Sequence, residues 1–316
     1  MGKAQRISAH QLTVRTVFSV VGLSFLIALV QTLRGKATWR HFLFCGFTIL
    51  IASPGVTVVH HRGETHRAFF FGPVVAFFLY VWGAINGQGP FSVWGWFHRE
   101  HHKHTDKKGD PHSPFVRPDG RPFLEGAHTW WNKLVALWKG FWWAHIGWLL
   151  YPPFEAKPEE NPKWKDPRVD KVVAFVDRVY PVWMTLGIIA AGFCGRFFGL
   201  SFWNGILWGG GVRLFYTYNV TWGVNSVCHL VGKQTFKTPT TGTSRNFWLW
   251  AFLAFGEGIH NWHHAFPAWA YYAVCHLPDL SGWIIRRLEG LGLVYDVVHP
   301  KPKKAEEMAL RSASAQ

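Results

Sequence analysis

Histidine is the residue type with which this sequence could do chemistry, because many of its 18 histidines fall in short clusters. One cluster reads HHRGETH, a second reads HREHHKH, a third reads HNWHH, and a single histidine follows in NSVCHL. Neutral imidazoles in such numbers suit iron, zinc, copper or nickel. The candidate metal ligands are His61, His66, His98, His101, His102, His229, His260, His263 and His264.

The HxxHH spacing predicts two metal positions rather than one. Each residue of a helix advances about 100°, so His98 and His102 lie about 40° apart, whereas His101 is turned about 60° to the other side of His98. One helix face therefore offers two imidazoles to one point and a third to a neighbouring point. The motif at 260–264 repeats this geometry.

His61 and His66 are spaced differently. Five residues correspond to about 140° on a regular helix, so these rings are expected to serve two different points, unless the helix ends between them. A ligating histidine usually donates its second N–H to a carboxylate or carbonyl. Acidic residues close enough in sequence to accept are Glu64, Glu100, Asp106, Asp110 and Glu257. His112, in DPHSP, is the best candidate for a supporting role among the other histidines.

The composition indicates that much of the surface does not face water. The chain is 49% hydrophobic and 17% aromatic, contains 20 tryptophans and is 16% charged, against about 25% charged for a typical soluble domain. Tryptophan favours the membrane interface. The net charge of +15 would attract anionic lipid, acidic ligands or nucleic acid. Because no nucleic-acid motif is present, membrane lipid and an acidic ligand are the expected partners.

Four apolar stretches are predicted to cross a bilayer as two helical hairpins. The histidine motifs fall at their ends or in the polar blocks beside them. The predicted fold is an all-α integral membrane protein, one domain over residues 1–316, with four transmembrane helices and a cytosolic helical cap that carries the metal site. The predicted spans are 17–33, 42–59, 179–200 and 203–231, the cap comprises 60–178 and 232–300, and a disordered tail follows at 301–316.

Positive charge sets the predicted orientation. Both termini and the polar blocks share one side, and their lysines and arginines make that side cytoplasmic. Arg34, Lys36 and Arg40 lie on the other side and oppose this orientation. The membrane is expected to be a bacterial inner membrane or the endoplasmic reticulum.

Together the motifs resemble those of the membrane fatty acyl-CoA desaturases of the stearoyl-CoA, or delta-9, type. HR-x-x-x-H, HR-x-HH, D-PHSP, N-x-x-x-H and GEG-x-HN-x-HH-x-FP occur in that family's order and roughly its spacing, from about Gly55 to the C-terminal GLGLVYD. The resemblance implies four transmembrane helices under a cytosolic cap, a bent tunnel for the acyl chain, and two iron ions bound by nine histidines.

Carried over by motif, the resemblance also implies which histidines share an iron. One iron would take His61, His98, His102 and His263. The other would take His66, His101, His229, His260 and His264. Asn225, one turn before His229, would hold a water on the first iron.

The implied activity is O2-dependent desaturation, with a cis double bond placed at the delta-9 position of a saturated long-chain acyl-CoA. An unactivated C–H bond is too inert for side-chain acid–base chemistry, so a metal centre that reduces O2 is needed. In the family, two hydrogens leave adjacent methylenes, two electrons arrive from outside and O2 becomes two waters. The tail carries His299-Pro300 without the HPGG of fused cytochrome b5 domains. A separate cytochrome b5 or ferredoxin is therefore the expected electron donor.

The acyl chain is expected to run beside the second span. Four residues precede His61 at intervals of four and therefore share one helix face with it: Thr57, Ser53, Ile49 and Cys45. This face either lines the tunnel and limits chain length, or packs against another helix. Trp222 and Asn219 are further tunnel candidates.

Other functions remain open at this point. A di-iron membrane hydroxylase acting on alkanes, sterols or carotenoids would use similar histidine motifs, but it would release an alcohol rather than an alkene. An acyl-lipid desaturase of other regiochemistry is a second alternative. A metal transporter without catalysis would place its ligands at mid-membrane rather than at one face.

Overall fold

The computed structural model describes residues 9–272 and 277–314, and every regular element there that is longer than an isolated β-bridge is a helix. The α-helices are α1 (Ala9–Leu33), α2 (Trp39–Ala52), α3 (Pro73–Ala84), α4 (Phe91–His104), α5 (Trp130–Trp142), α6 (Trp148–Leu150), α7 (Pro167–Arg178), α8 (Tyr180–Phe197), α9 (Phe202–Gly205), α10 (Arg213–Leu230), α11 (Trp248–Leu253), α12 (His260–Ala265), α13 (Leu280–Gly290) and α14 (Pro302–Ser314). The other helical segments are π-helical at Val56–Thr65, Trp143–Gly147 and Ile206–Val212, and 3₁₀-helical at Pro158–Glu160.

Two helices of the described chain are long and apolar enough to cross a membrane. They are Gln11–Leu33 and Trp39–Thr65, the latter joining α2 to the first π-helical segment. Helices α7 and α8 would make a third span only as a pair bent by 70°. The third and fourth predicted spans coincide with α8 and with the continuous helical stretch 202–230. That these two cross the membrane stays a prediction.

The apolar helices pack into one bundle. A buried cluster joins α1, α2, α8 and the π-helical segment before α10: Ala28, Phe44, Cys45, Ala191, Leu200 and Trp208. Glycine allows the helices to approach closely there, because a Cβ on Gly205 would lie 2.7 Å from the carbonyl oxygen of Ala191. The first half of α2 is thereby held against the π-helical segment that precedes α10.

Helix α7 fixes the start of α4, which carries the second histidine cluster. The carboxylate of Asp177 accepts hydrogen bonds from the backbone amides of Phe91 at 2.7 Å and Ser92 at 3.0 Å. The first amides of a helix have no partner within the helix, so this contact satisfies two of them. A second buried apolar cluster joins the first π-helical segment to α3, α7 and α13.

The predicted disordered tail at 301–316 is instead helical over Pro302–Ser314. Ala305 is only 3% exposed, and it packs with Met308 and Ala309 in a cluster that contains Phe236 and Phe266. The small and apolar residues recur at helical spacing in an otherwise charged segment, so one face is buried. Residues 315 and 316 lie outside the described part of the chain.

Candidate metal centre

The segment that carries His61 is π-helical, which decides where His66 lies. The amide of His66 donates to the carbonyl oxygen of His61 at 3.2 Å, a five-residue hydrogen bond. The wider turn returns residues five apart to the same side, and the two ring centroids are 4.9 Å apart. The helix ends at Thr65, between the two histidines. The spacing allowed this case as the alternative to two rings that serve different points.

Five histidines form a first group, each with one ring nitrogen within 4.8 Å of the others: His61, His66, His98, His102 and His263. Nε2 of His102 lies 2.7 Å from Nε2 of His263 and 3.1 Å from Nε2 of His98. Nε2 of His61 lies 3.1 Å from Nε2 of His263. The structure thus groups His66 with His61, whereas the resemblance placed it with the other set.

Four histidines form a second group under the same limit: His101, His229, His260 and His264. Nε2 of His264 lies 3.0 Å from Nε2 of His260 and 3.3 Å from Nε2 of His101. Nε2 of His229 lies 3.1 Å from Nε2 of His260. The two groups adjoin, since the ring centroids of His102 and His264 are 4.4 Å apart.

Helix geometry accounts for the division of each HxxHH motif. On α4 the middle histidine, His101, is in the second group, and the other two are in the first. On α12 the middle histidine, His263, is in the first group, and the other two are in the second. This is the division that steps of about 100° per residue predict.

Carboxylates meet the ring nitrogens that face away from the groups. These contacts are His61 Nδ1 to Glu257 Oε2 at 2.6 Å, His101 Nδ1 to Asp110 Oδ1 at 2.9 Å, and His229 Nδ1 to Asp106 Oδ2 at 3.3 Å. Because an ionised carboxylate only accepts, each of these rings donates from Nδ1 and carries its lone pair on Nε2.

This arrangement fits metal ions between the rings. The Nε2 lone pairs of His61 and His101 face Nε2 of His263 and Nε2 of His264, 3.1 Å and 3.3 Å away, so the ring nitrogens converge within each group. Two nitrogens bound at right angles to one ion at about 2.1 Å would be about 3.0 Å apart. An all-imidazole donor set with outer carboxylates therefore suits two transition-metal ions.

Burial keeps most of these imidazoles in the neutral form that binds metal. Burial, reinforced by neighbouring histidines, lowers the pKa of His98, His260 and His263 well below the ordinary value. His101 differs, because burial acts to lower its pKa but Asp110 outweighs burial and raises it. Burial acts to raise the pKa of Asp110, and His101 outweighs it in turn and lowers that pKa. Asp110 is therefore ionised and available to hold the Nδ1 proton.

Of the other residues predicted to support the metal ligands, His112 contacts the site, whereas Glu64 and Glu100 pair with basic residues outside it. The ring of His112 stacks on His101 with centroids 4.2 Å apart, and its backbone amide donates to Asp110 at 3.0 Å. Glu64 instead pairs with Arg67 at 2.8 Å. Glu100 pairs with Lys103 at 3.4 Å at the surface. Among the five acidic candidates, Asp106, Asp110 and Glu257 contact the clustered histidines.

Arg62 is a site residue that inspection of the sequence missed. It is fully buried, its Nε donates to Glu257 at 3.2 Å, and its Nη2 pairs with Asp279 at 2.9 Å. Glu257 also contacts His61, so the guanidinium holds the carboxylate that orients this imidazole. The HR pair in the first motif was the available signal, but Asp279 lies 217 residues away in sequence.

Tyr272 was missed for the same reason. Its hydroxyl lies 2.8 Å from Nδ1 of His263, and its backbone amide donates to Asp279 at 2.9 Å. Asp279 also caps α13 by accepting from the amide of Gly282 at 2.9 Å. Asp279 thus links the start of α13 to Arg62, whose partner Glu257 contacts His61, and to Tyr272, which contacts His263.

Asp110→Asn should weaken metal binding by about 10–100-fold, because an outer partner that fixes a ligand's tautomer and orientation is lost. Metal retained per chain after equilibration against a series of chelator concentrations measures this. Asp119→Asn is the matched control, since Asp119 is exposed and pairs with Arg121 at 2.7 Å. Equal metal affinity in both variants would contradict the role given to Asp110.

Two cavities meet at the metal-ligand groups. A narrow cavity of about 40 Å³ is bordered by Ser53, Thr57, His61, Glu257 and His260 among others. A larger cavity of about 480 Å³ has largely apolar walls from α1, α4, α8 and α10. Its volume is in the range of pockets that bind small molecules, about 300–1,000 Å³. Both cavities are lined by Trp94, His98, Thr221 and Asn225.

The predicted substrate residues lie in different surroundings. Trp222 lines the larger cavity. Asn219 lines neither cavity, and its Oδ1 lies 3.3 Å from Nε2 of His145. Cys45 is 7% exposed and packs between helices with Ile49 beside it, while the same helix face reaches the narrow cavity only at Ser53 and Thr57. A tunnel role for Cys45 and Ile49 stays a prediction.

Comparison with known proteins places the site in a family context. Residues 37–298 match the fatty acid desaturase family. The chain is 34% identical over 263 residues to the hex-5-enoyl-[acyl-carrier protein] acetylenase of Moorena producens, covering 81% of this chain and 76% of that protein.

Two further relatives are named desaturases. The sn-1 stearoyl-lipid 9-desaturase of a Synechocystis species is 32% identical, over 91% of this chain and 80% of its own length. Acyl-CoA desaturase 1 of Saccharomyces cerevisiae is 30% identical, over 87% of this chain and 48% of its own length. Desaturases are oxidoreductases that act on acyl chains.

Proposed function

The chain belongs to the fatty acid desaturase family, and we propose that it inserts a cis double bond into a saturated long-chain fatty acyl group, using O2 and two external electrons. The delta-9 position is the proposed site, as the name of the Synechocystis relative states for that protein. The observation that carries the proposal is the convergence of nine histidines in two adjoining groups beside an apolar cavity of about 480 Å³.

The proposed cofactors are two iron ions held by the nine histidines. The first group would hold one ion and the second group the other, with Asn225 holding a water next to the first. Iron bound there would supply the reduction of O2 that breaking an unactivated C–H bond requires. The side chains would supply the positions of the reactants.

Each side-chain role rests on a contact already described. Asp106, Asp110 and Glu257 hold the Nδ1 protons, which keeps three imidazoles in the metal-binding tautomer. An acyl chain in the larger cavity would pass His98, because that ring borders both cavities. The mostly apolar walls around it exclude water from the reacting methylenes.

The proposed substrate is an acyl-CoA, and the proposed electron donor is a cytochrome b5 or a ferredoxin. The relatives' names include acyl groups carried by CoA, by lipid and by acyl carrier protein. We therefore keep an acyl-lipid desaturase of other regiochemistry as the second candidate. The proposed topology is four spans, with the histidines and both termini on the cytoplasmic side.

Expression in a host that lacks unsaturated fatty acids tests the function. A new cis-unsaturated fatty acid is expected, with double-bond position fixed by mass spectrometry after derivatisation, together with two irons per purified chain. Analysis of total fatty acids makes the result independent of the acyl carrier. A hydroxylated fatty acid would support a di-iron hydroxylase instead, and a chain without bound metal would remove the basis of the proposal.

A further inference from the structure

We propose that α5 is an interfacial helix, which inserts its tryptophan-rich face into the lipid bilayer beside the larger cavity without crossing the membrane. The partner is the boundary between lipid head groups and acyl chains. This bilayer contact is inferred from the geometry of α5 and of its neighbours. It does not depend on which acyl reaction the protein catalyses.

One face of α5 carries large apolar side chains that the rest of the described chain covers only in part. Their exposed fractions are Trp130 75%, Trp131 57%, Leu134 52%, Leu137 43%, Trp138 64% and Trp142 38%. At about 100° per residue these positions fill one continuous arc of about 140°. An apolar arc of this width on a solvent-facing helix needs a partner.

The rest of the helix is suited to a docked, interfacial position. Ala136 and Gly140 are buried, and a Cβ on Gly140 would overlap the carbonyl oxygen of Pro114, so α5 rests on the protein through its smallest residues. Lys133 and Lys139 are exposed and lie about 40–60° beyond the two edges of the apolar arc. Lysines that border a tryptophan-rich face are typical of helices lying in the membrane interface.

The segment that follows α5 packs against the N-terminal part of α1, where the first candidate membrane span begins. The π-helical segment Trp143–Gly147 continues α5, and Ile146 and Leu149 pack with Val17 and Phe18 of α1. These contacts lie within two turns of Gln11, the first residue of the candidate span. A helix docked there adjoins lipid, which favours the bilayer over a soluble protein as the partner.

A line of aromatic rings joins this face to the cavity wall. Ring centroids are 5.6 Å apart for Trp138 and Phe141, 5.4 Å for Phe141 and His145, and 5.8 Å for His145 and Trp222. Trp222 lines the larger cavity. Insertion of α5 would therefore steady one wall of that cavity, a consequence that rests on the proposed function, whereas the bilayer contact does not.

Nitroxide labels at two neighbouring positions test the bilayer contact. Leu134→Cys labels the apolar arc, and Asn132→Cys, also exposed but on the other side of the helix, is the matched control. Cys194→Ser and Cys275→Ser precede labelling, while Cys45 and Cys228 are buried. The protein is placed in nanodiscs of phosphatidylcholine with a minor share of phosphatidylglycerol. Collisions of each label with O2 and with a water-soluble nickel chelate are then measured by electron paramagnetic resonance.

In lipid, O2 is enriched and the nickel chelate is excluded, so the ratio of O2 to nickel collisions should be several-fold higher at position 134 than at 132. Equal ratios would overturn the proposal and leave the face for a soluble protein partner. A label at 134 shielded from both reagents would also overturn it, since that indicates packing against another protein chain. The measurement requires no catalysis, so its failure is distinguishable from failure of the proposed function.

Discussion

His263→Ala is expected to abolish double-bond formation, with product at least about 100-fold below the unsubstituted protein. Loss of an outer partner alone costs about 10–100-fold in metal affinity or activity, and loss of a ligand should cost more. Nε2 of His263 lies 2.7 Å from that of His102 and 3.1 Å from that of His61, so its removal opens the centre of the first group. The ring also adjoins the second group, with a centroid 5.6 Å from that of His264.

Two measurements separate loss of metal from loss of fold. Unsaturated product and iron per purified chain should both fall, while the far-ultraviolet circular dichroism of the helices should stay unchanged. His128→Ala is the matched control, because His128 is an exposed histidine outside both groups. If His263→Ala kept full iron and full product, the first group would not be a metal site.

Arg62→Met is expected to destabilise the metal-free protein by about 3–5 kcal/mol, the usual cost of removing one partner from a buried ion pair. Both the arginine and its two carboxylate partners are almost fully buried. Methionine fills much of the same volume, but it leaves Glu257 and Asp279 without their cation. It also removes the hydrogen bond from Nη1 to the carbonyl oxygen of Ala270, which is 2.9 Å long.

Thermal unfolding of the metal-free protein in a fixed detergent measures this prediction, and the midpoint should fall by roughly 10 °C. Arg168→Met is the control, since Arg168 is 73% exposed in its pair with Asp166. Exposed pairs contribute little, so the control midpoint should not move. Equal midpoints for the two variants would mean that the buried network does not hold these helices together.

Local geometry explains how far the site could be predicted from the sequence. Residues three and four apart on a regular helix have fixed relative directions, so the division of His98, His101 and His102 followed from spacing alone. The motifs were also specific enough to identify the family, which the comparison with known proteins confirms. Two of the apolar stretches were correctly recognised as helices able to cross a membrane.

Departures from regular helices limited the prediction. His66 joins the first group because the segment before it is π-helical, and nothing in its residue types indicates the wider turn. The tail at 301–316 contains a helix because Ala305 finds an apolar partner surface elsewhere in the chain. Composition alone showed a polar segment and could not show that surface.

What the sequence determined by itself is the donor chemistry, the HxxHH division and the apolar helices, since each depends on residue type or on neighbours within one or two turns. The tertiary structure decided which carboxylates hold the imidazoles, that Arg62 pairs with one of these carboxylates, Glu257, and which helix faces line the cavities. These contacts join residues such as Arg62 and Asp279, 217 positions apart. Their pairing depends on how the helices pack, and no local periodicity encodes that.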